Sequence, residues 1–271
     1  MPPFPPGSDA GSDGEAGAAV DGAGSSAFFN VPTGLALLPG GDVLVADTFN
    51  GLLRRISPSR VVSTFAVTGT PPTFTPYALA YDARSRGGSV TYVGEACRIS
   101  ALDGAGAVLR VVAGAGPNGC GAVDGPGGAA GVARVGIVSS LLVNASDFLI
   151  FVDQTANAVR AVSPGGVVST LAGSLANAAA TPYPPAGFPD GASSPTSRGA
   201  ADGAGAAAAF SLPTGIALSR TGDYIIADTL NHLIRRVTPA GVVSTNCGQR
   251  DAGGDCTDAR GHRRGRGQRQ R

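Results

Sequence analysis

The chain has 271 residues, 43% of them hydrophobic and only 14% charged, with 42 Gly and 20 Pro. This is enough apolar sequence for one sizeable core, which excludes full disorder, while the shortage of charge leaves solubility to short polar side chains and backbone. All 20 basic residues are Arg, so a P-loop phosphate site and Schiff-base chemistry are excluded, and two His and two Glu leave little for metal or acid–base work.

The net charge of +1 is unevenly spread. Residues 249–271 hold seven Arg against three Asp, which leaves the rest of the chain mildly acidic. Nucleic acid is therefore not expected as a partner of the folded part. No apolar stretch approaches the ~20 residues of a membrane span, so none is expected. Residues 1–20 (MPPFPPGSDAGSDGEAGAAV) lack the basic start and apolar run of a signal peptide. As written, the chain reads as cytoplasmic if Met1 is the true start, and as extracellular if the N-terminus is truncated.

In chain order, residues 1–20 contain few core formers and are expected to be disordered. Residues 21–64 then recur, without a gap, as residues 202–245 at a constant offset of 181. A third copy runs from Asp124 to Gly173, and a degenerate fourth spans 74–114, where Gly94-Glu95 replaces an Asp-Thr step. Each copy holds four short apolar runs; in the first these are GLALL, DVLVAD, LLRRIS and VVSTFA, punctuated by Pro39-Gly40-Gly41, Asn50-Gly51 and Pro58-Ser59. Runs of four to six Val, Ile and Leu residues between such turns predict antiparallel strands in consecutive hairpins. Several runs are continuously apolar, which predicts sheets covered on both faces, as in radially stacked blades. A period of ~45 residues fits a blade. Between the third and last copies lies a Pro/Ala/Ser-rich insertion, 174–201, and after 248 an Arg-rich tail expected to be disordered. The domain organisation is thus 1–20, a repeat region of 21–248 with copies at about 21–66, 74–114, 124–173 and 202–248, and 249–271.

The candidate chemistry is sparse. Two G-x-G-x-x-A matches, at Gly22 and Gly203, follow polar loops and lead to Pro32 and Pro213 instead of opening a helix, so they read as repeat loops and not as nucleotide sites. Asp47, Asp153 and Asp228 recur in equivalent positions, and Arg54, Arg160 and Arg235 follow each by seven residues. A residue present in every blade is expected to serve the fold, so Asp–Arg pairing at the rim is predicted, at ~0–1 kcal/mol per pair. His232 aligns with Gly51 and Asn157 and reads as a turn residue. Cys97 and Cys120, 23 residues apart, could pair in an oxidising compartment or stand as free thiols in a cytosolic one; the residues leave both open.

The pattern resembles the NHL-repeat family of β-propellers, over roughly 21–248. Its naming step stands here as Asn231-His232-Leu233, its proline-glycine entry as Pro32 and Gly34, repeated at Pro213 and Gly215, and its Val-Ser-Thr ending as Val62-Ser63-Thr64. The resemblance implies an all-β propeller, or an incomplete propeller arc, of about four four-stranded blades where family members often have six. It also implies a non-catalytic interaction or scaffold module that binds a protein or other macromolecule on its blade-end loops, with no small-molecule cofactor. A metal-dependent lactonase or lyase with a channel site is the rival, for which Glu95, Asp153 and Asn144 are the donors left over. RNA binding through the Arg tail is a third reading.

Overall fold

A computed structural model of the chain describes residues 19–69, 74–84, 88–114, 120–128, 131–175 and 199–248. The expectations for residues 1–18, for 176–198 of the insertion and for 249–271 lie outside them. The described residues form four antiparallel sheets. The first holds β1 (Gly22–Ala23), β2 (Pro32–Leu37), β3 (Val43–Asp47), β4 (Leu52–Ile56) and β5 (Val61–Phe65). The second holds β6 (Pro76–Asp82), β7 (Val90–Glu95), β8 (Arg98–Leu102) and β9 (Val108–Ala113). The third holds β10 (Gly125–Pro126), β11 (Val138–Val143), β12 (Leu149–Asp153), β13 (Ala158–Val162) and β14 (Val167–Ala172). The fourth holds β15 (Gly203–Ala204), β16 (Pro213–Leu218), β17 (Tyr224–Asp228), β18 (Leu233–Val237) and β19 (Val242–Gly248). Each sheet is a meander, and its first long strand, β2, β6, β11 or β16, packs beside the first long strand of the next sheet. The described residues form an all-β propeller arc of four blades.

Three blades are five-stranded, not four-stranded as expected. The segment before the first long strand returns as a two-residue outer strand on the last one, pairing Gly22 with Val62, Gly125 with Val168 and Gly203 with Val243. The sequence patterns at Gly22 and Gly203 read as loops because two residues are too short to show alternation.

Blades cohere by burying sheet faces against each other. Leu44, Ala46 and Leu53 of the first blade meet Leu79, Val93 and Leu102 of the second. Ile99, Ala101 and Val112 meet Phe151, Val162 and Val168 of the third, whose opposite face, Ile150, Val152, Val159 and Ala161, meets Tyr224, Ile226 and Val237 of the fourth. Blades two and three are covered on both sides, and β8, β12 and β13 are buried along their whole length. In the fourth blade β18 alternates buried and exposed residues, the signature of one open face.

Close approach at these joints needs small residues. Gly34 lies at a bulge after Pro32, and a Cβ there would sit 2.6 Å from the Tyr77 carbonyl oxygen of the next blade. Thr33 Oγ1 donates to that carbonyl at 2.7 Å, and Thr48 Oγ1 donates to Pro76 O at 2.7 Å. Among the described residues the second blade has no outer fifth strand, and Cys97 at its β7–β8 turn is disulfide-bonded to Cys120, with Cα atoms 4.5 Å apart. Cys247 is also disulfide-bonded. Closing a loop of 23 residues removes denatured-state entropy, so the double variant Cys97→Ser/Cys120→Ser should lose about 3 kcal/mol in urea unfolding.

Candidate functional site

The blades present two kinds of polar cluster. The first recurs three times and starts from the naming tripeptide. The Asn231 Nδ2 donates to Asp228 Oδ2 at 2.8 Å, His232 takes a left-handed backbone (φ 55°) that ends a single 3-10 turn, and Leu233 is buried. Gly51 and Asn157 occupy the same left-handed position in their copies (φ 62° and 52°), which explains why this column holds Gly, Asn and His.

The Asp closing the second long strand then takes a guanidinium. Arg54, Arg160 and Arg235 donate through Nη1 to Asp47, Asp153 and Asp228 at 3.0, 2.8 and 2.8 Å. Through Nη2 they donate to Asp21, Asp124 and Asp202 at 2.7, 2.9 and 2.8 Å, and each Arg also donates to two backbone carbonyls. Their Nε atoms have no hydrogen-bond partner, and each guanidinium lies 5.2–5.6 Å from the centroid of Phe29, Phe151 or Phe210, within cation–π range.

These pairs are not rim charges. The side chains of all three Arg and of Asp47, Asp153 and Asp228 are 0% exposed, and the segment that carries the outer strand ahead of β2, β11 or β16 closes over each Arg through its carbonyls. The rim estimate for their strength is therefore replaced by that of a buried pair, whose rupture from one side costs about 3–5 kcal/mol. The partners missed in the sequence are Asp21, Asp124 and Asp202. A signal was present, since each opens an Asp-Gly step that recurs in the three well-preserved copies.

The outer Asp fastens the fifth strand. Asp21 accepts from Thr64 N and Oγ1 at 3.0 and 3.1 Å, as Asp124 does from Thr170 at 2.8 and 3.0 Å. In the second blade the arrangement is rebuilt: Glu95 takes the Asp position, Ser100 stands in the register of Arg54, and Arg98 and Ser100 both donate to the Glu95 carboxylate.

The second kind of cluster lies at the opposite ends of the strands. Between the second and third blades a recess of about 750 Å³ is lined by Asp82, Arg84, Tyr92, Arg110, Asp147 and the β13–β14 turn at Ser163–Gly166. Arg84 donates to Asn144 O at 2.7 Å and to Asp82 at 3.3 Å, and lies 3.6 Å from Asp147. Burial pushes the Tyr92 hydroxyl pKa up; the Asp82 and Asp147 charges add to the rise, while Arg110, which donates to the phenolic oxygen, opposes it. The recess offers two guanidinium groups, two carboxylates, a phenol and apolar walls from Leu149 and Val162.

The remaining candidates are held within the fold. Asn144 donates to the Tyr224 hydroxyl at 2.9 Å and accepts from Ser146 and Phe148 N–H groups. Asp153 accepts from Gly136 N, Ala156 N and Arg160. Among the described residues no group of three or more His, Cys, Asp or Glu side chains could hold a metal ion, and no helix is long and apolar enough to cross a membrane.

Residues 29–55, from Phe29 through the β3–β4 turn to Arg55, match the model of the NHL repeat. The chain carries an NHL repeat. Solved structures share the propeller architecture: an auxiliary nutrient binding protein from Bacteroides ovatus is 20% identical over 81% of this chain and 49% of its own, with a TM-score of 0.57. Its counterpart from Bacteroides thetaiotaomicron is 18% identical over 78% and 47%, with a TM-score of 0.55. Virginiamycin B lyase from Staphylococcus aureus, in an inactive variant with quinupristin, is 14% identical over 79% and 54%, with a TM-score of 0.49. At these identities the likeness is one of fold, and this NHL-repeat chain spans about half the length of those proteins. No curated protein matches it.

Two outcomes follow from the Asp–Arg–Asp clusters. Arg160→Met should destabilise the chain by about 3–5 kcal/mol in denaturant unfolding, since it leaves buried Asp153 unpaired. The Asp21 carboxyl is held below its ordinary pKa by the Thr64 N–H and Arg54; for Asp202 burial pushes upward, but Thr245 and Arg235 outweigh it. Such groups stabilise the fold above the ordinary carboxylate range of about 3.9 and lose that contribution as pH falls through their lowered folded values. The Tm should stay level from neutral pH to about 4 and drop below it, and the drop should be shallower in Asp21→Asn/Asp202→Asn.

Proposed function

We propose that this NHL-repeat chain is a non-catalytic binding module whose blade-end turns engage a macromolecular partner, with the recess between the second and third blades as the contact. The observation that carries this reading is where the carboxylates stand. Asp47, Asp153 and Asp228 are buried against Arg and hold strands together, while at the turn end Arg84, Arg110 and Asp147 stand exposed beside half-buried Tyr92. A recess that mixes an aromatic ring, Arg and apolar walls has the composition of a recognition surface, and rigid sheets hold the turns around it. The nutrient binding proteins that share the fold are in keeping with a binding role. The two disulfide-bonded segments favour an oxidising compartment.

A partner bound here should weaken by at least ~tenfold in Arg110→Ala while the Tm moves little, because Arg110 is exposed. A photo-crosslinker at position 110 should capture the partner, and one on the exposed Arg220 should not. Turnover of lactone substrates that a chelator abolishes would replace this reading with the channel-site enzyme.

A further inference from the structure

The turn between β11 and β12 carries a motif that the fold does not require. Asn144-Ala145-Ser146 is the one Asn-x-Ser/Thr step, with x other than Pro, in the 271 residues. That tripeptide is the acceptor for N-linked glycans, and it serves as one on a surface turn of a chain that passes through an oxidising, secretory compartment. Two observations meet these conditions. Ala145, Ser146 and Asp147 are exposed. Cys97, Cys120 and Cys247 are disulfide-bonded, where a reducing cytosol would keep thiols.

The equivalent turns of the other blades separate this reading from a purely structural one. The β2–β3 turn closes with Leu38 N donating to Asp42 O at 2.8 Å and the β16–β17 turn with Ser219 N donating to Asp223 O at 2.8 Å; here Asn144 N donates to Phe148 O at 2.9 Å. Leu38 thus fills the position with no polar side chain at all. The left-handed residue of the turn is Gly41 (φ 90°) in the first blade and Gly222 (φ 88°) in the fourth, but Asp147 (φ 60°) in the third, a backbone that glycine adopts more easily. Asn-Ala-Ser-Asp therefore departs from the easier solution that the same turn uses elsewhere in the chain.

The turn accommodates a sugar on the amide. Asn144 Oδ1 accepts from Ser146 N at 2.9 Å and from Phe148 N at 3.0 Å, which identifies it as the oxygen and leaves Nδ2 to donate to the Tyr224 hydroxyl at 2.9 Å. An amide nitrogen has two N–H groups, so a sugar replaces one and leaves the other for Tyr224. The bond from Ser146 N closes an Asx turn, which holds the second residue after Asn144 beside its carboxamide.

We propose that Asn144 is an N-glycosylation site. An oligosaccharyl transferase supplies the sugar chain on a lipid pyrophosphate. Asn144 Nδ2 attacks the anomeric carbon, the bond from that carbon to the phosphate oxygen breaks, the lipid pyrophosphate departs with the electron pair, and the amide proton passes to a base of the transferase. The Ser146 hydroxyl is the group read at the second position of the motif. Asp147 of the same turn lines the recess between the second and third blades, whereas Nδ2 is turned to Tyr224 of the fourth, so the inference holds whether or not the recess binds a partner.

Mass spectrometry of the full chain isolated from its own cells tests the proposal. Trypsin, cutting after Arg134 and Arg160, releases residues 135–160 as one peptide. The expected peptide carries a chain of N-acetylhexosamine and hexose, which peptide N-glycosidase in heavy-oxygen water removes while converting Asn144 to labelled aspartate. Two variants made in the same cells locate the sugar. Asn144→Ser installs the side chain that Ser219 uses in the fourth blade, where its Oγ accepts from Asp223 N at 3.0 Å, and Ser146→Ala keeps the Asn but removes the exposed hydroxyl. Both should lose the glycan and keep the wild-type circular dichroism spectrum and a Tm within a few degrees. If Asn144→Ser fails to fold, Ser146→Ala decides. An unmodified peptide from the native chain overturns the proposal, and so does a glycan that survives either substitution, because it then sits on another residue.

Discussion

A sheet with two apolar faces must have both covered, and every other feature of this chain follows from how that is arranged. Each blade is too small to shield its own faces, so stability comes from stacking, and the side chains at each joint are Leu, Val, Ile, Phe and Ala from facing sheets. This explains the composition. Strands such as β12 and β13, buried from end to end, carry charge only in the mutually paired Asp153 and Arg160, and the chain holds correspondingly few charged residues.

Within each of the three well-preserved blades a guanidinium organises the edge that stacking cannot reach. Arg54, Arg160 and Arg235 each join an inner strand end to the Asp that opens the outer strand, and through that Asp to the Thr of the last long strand. A planar group with donors pointing in two directions can bridge two carboxylates and two carbonyls, which a point-charge ammonium could not do in the same geometry. The second blade, with Glu95, Arg98 and Ser100 in place of this cluster, shows no fifth strand among the described residues and carries the Cys97–Cys120 bond.

The Asp–Arg spacing of seven residues was legible because it recurs at constant offset, and the pairing followed from opposite charge in a hairpin register. Its burial was not legible, since it depends on the outer strand folding over it, and two-residue strands leave no pattern. The recess around Tyr92 and Arg110 was missed altogether. Its residues come from β6, the β6–β7 connection, β7, β9 and two turns of the following blade, and although the Ser163–Gly166 turn recurs, Arg84, Tyr92 and Arg110 have no counterpart in the other copies.

The sequence alone determined the all-β architecture and showed which Asp, Arg and Gly recur, because periodic residues report periodic contacts. Only the tertiary structure decided which carboxylates are accessible and where a cleft opens. Those properties belong to the gaps between blades, where residues distant in the chain are brought together by packing and leave no local trace in the order of amino acids.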